Sequence, residues 1–533
     1  MLLVACTVFP LHGLYDEYIA PKWYAAGYAA LLAEVAGTYR IMKGMNADAD
    51  STKALSVSAL AAIAFNVLCC VAVCRRPTDS VLDIIPFHGT FDNPSGFALN
   101  MCLLISLAVS GWHGMGRRMR CAVTAGVVIA GMMVLLSGSR TGAACMAVVA
   151  VCLFSGSRRV ARSVKLMVAA LAAAAVLVTA MSVKTESTSG RSFIISRTWE
   201  LIRQQPLTGY GWHGFEREYM PHQAGYFKIH PDNDAAWLAD NISHPLNEWM
   251  YVWVDFGIAG PVLLLLMLGI PAAACIAGND QRMRGMLPSV AVIAMFATTG
   301  YPHIYPLPWM VLAMVYAMMC RRYVAGAIRH RWCAAVLTAV CLAGMAALTA
   351  EAVTEHRWYR LTRGMAGGHA AATIDGYERL SRHYAGNPRF IYSKMFALYQ
   401  ARRFDKAADT YETLSHMVAT YDMELLMGDI CLHDGKPGRS LSHYTRAMYM
   451  VPVRFAPLDG QLRAYSMMGD TLRADSVARV IMGKRVKVPS AAVEQMRHEA
   501  REWLDGGGYE KSNLSRTGHS IGGNPLSECR KTE

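Results

Sequence analysis

Two arginines and a histidine stand where mere solvation explains them poorly. Arg140 lies between two apolar runs, in LLSGSRTG (135–142). A guanidinium at mid-bilayer costs about 2.5–3.5 kcal/mol, so one beside a span usually has a partner or a task; the bland alternative is snorkelling to the headgroups. Arg191 reads as the start of a helix, RSFIISRTWELIRQQ (191–205), with Ile195, Trp199 and Ile202 at helical spacing. A cation opposes the dipole there, yet with the free N–H groups of a first turn it makes an anion site. His244 precedes Pro245, and proline favours the first helical position, so His244 is expected to cap the next helix and stay neutral. A neutral imidazole facing bound anions suits proton abstraction; a structural cap is the alternative.

Other patterns carry less. Gly209, Gly211 and Gly214 in PLTGYGWHGF (206–215) spell G-x-G-x-x-G, but a dinucleotide site needs a preceding strand and a βαβ unit, and a helix precedes this one. The glycines are expected to turn the chain after a helix closed by Pro206. Asp232 and Asp234 resemble a metal pair, although a turn is the readier use. TFDNP (90–94) reads as a helix cap, with Asp92 and Asn93 left as candidates to face a substrate. His213, His222, His230 and His303 read as surface residues, and the aromatics at 249–253 as an interfacial belt.

These groups need a frame, and the composition says which kind. The chain has 533 residues, 53% hydrophobic and 17% charged, with net charge +13 and mean hydropathy +0.23. That balance indicates a membrane protein. The basic residues gather in short loops between apolar runs, which argues against nucleic acid. Most of the 14 cysteines lie in or beside those runs, without metal-site spacing. Segments near 22–42, 54–73, 94–112, 119–137, 140–156, 163–182, 248–277, 285–300, 303–320 and 333–352 are long enough to span, giving about ten or eleven spans with the short opening run. That run, MLLVACTVFPLHGLY, lacks the marks of a signal peptide. Basic loops at 113–120, 155–165, 281–285 and 321–331 alternate along the chain, with Arg75–Arg76 as the exception. The charge bias puts loop 183–247 and everything after 352 outside the cytoplasm. From 353 to 505, ARRFDKAADTY, DGKPGRSLSHY and MGDTLRADSVA recur at 33 and 34 residues, the period of tetratricopeptide-like hairpins. Residues 506–533 read as a disordered tail.

TFDNPSGFA, LLSGSRTG, SGR (189–191), PLTGYGWHGF, SHPLNEW (243–249) and FGIAG (256–260) occur in this order. The series resembles the O-antigen ligase and polymerase superfamily over roughly residues 80–320, and some members carry a repeat tail. The resemblance implies an all-α, polytopic bundle of the C-type glycosyltransferase kind followed by a soluble helical-repeat domain. It implies transfer of a glycan from a polyprenyl diphosphate at the outer face of the bacterial inner membrane. Arg140 and Arg191 match the family's phosphate-gripping arginines, with Arg197 as fallback. His244 matches its base and Asn247 the partner in H-x-x-N. No nucleotide, cofactor or obligatory metal is expected, because the diphosphate is its own leaving group. The acceptor is lipid A-core, another glycan or a protein, with ligation favoured over polymerisation and protein O-glycosylation. Membrane lipid surrounds the bundle, and the repeats are expected to offer a surface to an acceptor or partner protein. A transporter or a scaffold with a docking domain is the non-enzymatic rival.

Overall fold

The apolar runs and the amphipathic tail both satisfy their backbone groups internally, and in a computed structural model every regular element is a helix, with no strand among the described residues. The structure describes residues 2–7, 10–43, 51–74, 88–155, 185–231, 234–278, 280–328 and 330–506. Arg75–Arg76, the run 163–182, Asp232 and the tail after 506 lie outside them. The chain divides into two units, one drawn from Met1–Val183, Leu246–Trp249 and Val262–Arg357, the other from Lys184–Pro245, Met250–Pro261 and Trp358–Glu533.

The first unit contains α1 (Leu2–Ala5), α2 (Ala20–Met42), α3 (Ser51–Cys74), α4 (Pro94–Ser110), α5 (Arg117–Leu136) and α6 (Arg140–Ser155). At its centre α4 is buried from Gly96 to Val109 and packs on α3, α5 and α6. Two of its buried polar side chains find partners in the bundle, as most buried groups do: Asn100 donates to the Gly96 carbonyl at 2.8 Å, and Ser106 meets Ser289 at 2.6 Å. Among the described residues, four helices are long and apolar enough to cross a membrane, at Lys53–Val71, Arg117–Leu136, Ala259–Ala277 and Arg331–Ala366. Shorter apolar helices lie at Pro94–Ser110, Arg140–Cys152 and Pro306–Arg321. The run 248–277 is not one span. It breaks at Gly257 (φ +60°) into α9 (Glu248–Phe256) and α10 (Ala259–Ala277), and only α10 has spanning length.

In the second unit α7 (Thr185–Gln204) and α8 (Gly214–Ile229) belong to the polar loop. They accompany a helical array: α15 (Ala370–Ser381), α16 (Pro388–Gln400), α17 (Phe404–Ser415), α18 (Tyr421–His433), α19 (Pro437–Met450), α20 (Ala456–Met468), α21 (Thr471–Gly483) and α22 (Ala491–Asp505), counting α11 (Gln281–Arg284), α12 (Leu287–Ala297), α13 (Pro306–Ile328) and α14 (Arg331–Ala366) before it. Consecutive helices of the array pack on one another. Four of its turns close alike: N–H groups of His369, Arg403, Lys436 and Asp470 reach back to carbonyls of Gly364, Leu398, Cys431 and Tyr465 at 2.9–3.0 Å. The residue before each donor is left-handed: Gly368, Arg402, Gly435 and Gly469, spaced 34, 33 and 34. This is the six-to-one closure of a helix end, repeated. Tyr444 wedges between Gly428 and Gly460, where any Cβ would collide with its ring.

Candidate functional site

In the first unit, the turn sequence SGSRTG is spent residue by residue. Gly138 takes φ +68°, Ser139 Oγ accepts from the Gly142 N–H at 3.1 Å, and Arg140 is the first residue of α6, half-buried. A Cβ on Gly142 would lie 2.6 Å from the Ala98 Cβ, so the glycine lets α6 close on α4. Thr141, beside Arg140, meets Thr299 at 3.0 Å. That contact leads to the segment Thr298–Tyr305, which gathers several expected residues. Asn247 donates to the Thr298 carbonyl at 3.1 Å. Asn93 donates to Tyr305 Oη at 3.0 Å and to Asp92 at 2.7 Å, while Tyr305 donates to Asp92 at 2.8 Å. Asn93 Oδ1 also caps α4 through the Gly96 N–H at 2.7 Å. The expected cap is present, and both side chains are engaged in it.

The same segment holds a pair that sequence reading passes over. His303 Nδ1 lies 2.7 Å from Glu248, whose side chain is buried. A carboxylate on one ring nitrogen fixes the tautomer and orientation of a histidine. Fifty-five residues separate the two, so no local spacing announces them.

The second unit holds the other candidates. Here α7 begins at Thr185, not at Arg191, which lies exposed in the second turn. Its own N–H is therefore no longer one of the free first-turn groups, and the anion-site argument from the helix end does not apply. The buried stripe of α7 is Phe193, Ile194, Thr198, Leu201 and Ile202, whereas Ile195 and Trp199 share the exposed side with Arg191. Arg197 is occupied: it pairs with Glu200 at 2.8 Å and lies 4.1 Å over the Tyr226 ring. His244 is no helix cap either. The helix starts at Glu248, Pro245 precedes it in irregular chain, and Leu246 adopts φ +55°. The imidazole instead stacks on Tyr251, centroids 4.7 Å apart, and Tyr251 donates to Glu216 at 2.8 Å. Stacking, rather than a helix dipole, holds the ring.

The glycine motif is explained by backbone contact. N–H groups of Tyr210 and Gly211 donate to Val254 and Asp255 carbonyls, each at 2.8 Å. A Cβ on Gly209 would lie 2.4 Å from the Gly257 nitrogen, and one on Gly257 2.1 Å from the Leu207 carbonyl oxygen. Two turns thus lie main chain to main chain, and no phosphate is needed to account for the pattern. Asp255 completes the joint by accepting from the Phe215 N–H at 2.9 Å at the start of α8. Burial pushes its carboxyl up to about 7.

The protein is therefore a multi-pass, all-helical membrane protein, with its polar candidates carried by one large loop and a few turns. Residues 125–265 match the family model described as O-antigen ligase. The match covers about a quarter of the chain, includes Arg140, Arg191, Arg197, His244 and Asn247, and supports a glycan-transferring membrane enzyme of the O-antigen ligase type. No curated protein and no solved structure matches the chain.

Proposed function

We propose that the protein moves a glycan from a polyprenyl diphosphate to an acceptor hydroxyl at the outer face of the inner membrane, without a metal. Arg140 and Arg191 hold the diphosphate, and His244 takes the acceptor proton. The acceptor oxygen bonds to the anomeric carbon as the bond from that carbon to the diphosphate oxygen breaks. The electron pair leaves with the diphosphate, whose growing charge the two guanidinium groups offset. The observation that carries this reading is the O-antigen ligase match, which covers all three residues. The boundaries 1–352 for the membrane part, 353–505 for tetratricopeptide-like repeats and 506–533 for a tail belong to the same reading, as do the outside positions of loop 183–247 and of the repeats. Ligation to lipid A-core is preferred over polymerisation and protein glycosylation.

His303 supports a second assignment of the base, because its pairing with buried Glu248 is the orienting arrangement of acid–base histidines. Purified His244→Ala and His303→Ala variants, assayed with a lipid-linked glycan, separate the two. Loss of a general base lowers kcat by about 10²–10⁴-fold, and that loss is expected for His244→Ala. A correctly inserted H244A protein that transfers at the normal rate would sink the assignment. Gel and mass analysis of surface glycan in a strain lacking the gene then identifies the acceptor. Missing ladders, unpolymerised single units or bare proteins each point to one activity.

A further inference from the structure

His244 lies in a stretch without regular structure, and the side chains just before it are fastened to the C-terminal array. Asn241 makes two bonds to the beginning of α18. Its Oδ1 accepts from the Tyr421 N–H at 3.3 Å, and its Nδ2 donates to Asp422 Oδ2 at 2.7 Å. The first N–H groups of a helix have no partner within the helix; Thr420 Oγ1 accepts from the Met423 N–H at 3.2 Å, and Asn241 takes the Tyr421 N–H. The neighbouring Asp240 accepts from Arg454 at 3.0 Å, and its carbonyl accepts from Gln223, which also donates to the Met450 carbonyl at 2.6 Å. The Asp240–Arg454 pair is about half exposed and contributes little by itself. The Asn241 amide, set against a half-buried carboxylate, is the stronger link.

We propose that Asn241 and Asp422 are positioning residues for His244, so that the C-terminal helical array is a working part of the transfer site. This inference rests on His244 being the base. The array then holds the segment leading to the histidine, and the start of α18 is occupied by the chain itself. The charged groups facing Asp422 are Arg454 and Asp240, and burial pushes the Asp422 carboxyl up to about 6.

The test uses the full-length protein in lipid nanodiscs with a lipid-linked glycan donor. Asn241→Asp sets one carboxylate against another. At pH 8 its kcat is expected to fall at least about tenfold, with the donor KM within about twofold of normal. Activity should return towards pH 6, where one of the two carboxyls takes a proton. The double variant N241D/D422N exchanges amide and carboxylate, keeps both bonds, and should recover most of the kcat at pH 8. Normal kcat in N241D at pH 8 overturns the proposal, as does a loss that neither acid nor the second substitution repairs in a protein of normal melting temperature. His244→Ala is measured in parallel. An inactive H244A beside a fully active N241D removes the clamp and leaves the base. A fully active H244A removes the base, and the clamp's purpose with it.

Discussion

A single buried carboxyl makes the loop's stability depend on pH in a direction that can be worked out. Asp255 has its pKa raised to about 7 in the folded chain, against 3.8 for the free group. Between those values the folded state holds a proton that the unfolded state lacks, so stability is greatest below about 4 and falls as pH rises through 7. The slope over this window is up to about 1.4 kcal/mol per pH unit. An asparagine at this position would be neutral throughout while still accepting from Phe215, so Asp255→Asn should flatten the pH profile of melting and raise the melting temperature at pH 8. An unchanged profile would mean that the carboxyl is ionised in place. This residue escapes a sequence reading because an Asp in VWVDFG looks like the end of an interfacial helix. Its burial depends on a turn forty residues upstream. The same limit hides His303 and Glu248. The turn around Arg140 is legible because Gly138 and Ser139 act within a few positions of themselves, whereas the partners of Thr141 and Gly142, at Thr299 and Ala98, are distant in sequence.

Helix ends tell a similar story. The recurrence at 33 and 34 residues is visible in the sequence because the turns reuse small and polar residues, and the structure shows the shared cause, a left-handed residue closing each helix. A fourth turn, at Gly368, precedes the three whose sequences recur visibly. At Arg402 the position holds a side chain at φ +56° where its counterparts have glycine, which costs about 1 kcal/mol. Arg402→Gly should therefore stabilise the array by about that much, seen as a higher midpoint in urea at unchanged slope. The reverse holds in the loop joint. Gly257→Ala places a methyl group into the Leu207 carbonyl and should destabilise by about 2–3 kcal/mol or more. Gly211, open on its Cβ side but at φ +85°, should cost only the backbone term of about 1 kcal/mol on change to alanine. Boundaries are less legible than the elements. The starts of α7 and α9 both differ from their expected places, because Arg191 and Pro245 resemble helix openings equally well on either side.

At the scale of the whole chain, the all-helical class is readable from hydropathy and period alone. The association of the polar loop with the array is not. There α8 packs on α19, and Phe193, Phe227 and Ala239 form a core with Tyr449 against it. A chain ending at residue 366 should thus leave Phe227 and the Gln223 amide uncovered. Limited proteolysis is expected to cut within 184–245 at least about tenfold faster than in the full chain; equal rates would show that the loop folds by itself. The arrangement also has a consequence in time. Gln223 bonds to Met450, 227 positions later. At about 5–20 residues per second, the ribosome needs roughly 10–45 seconds to deliver that partner. Throughout that interval the newborn loop has greasy side chains and no place to put them, so the step most exposed to misassembly in this protein's life comes before its synthesis is finished.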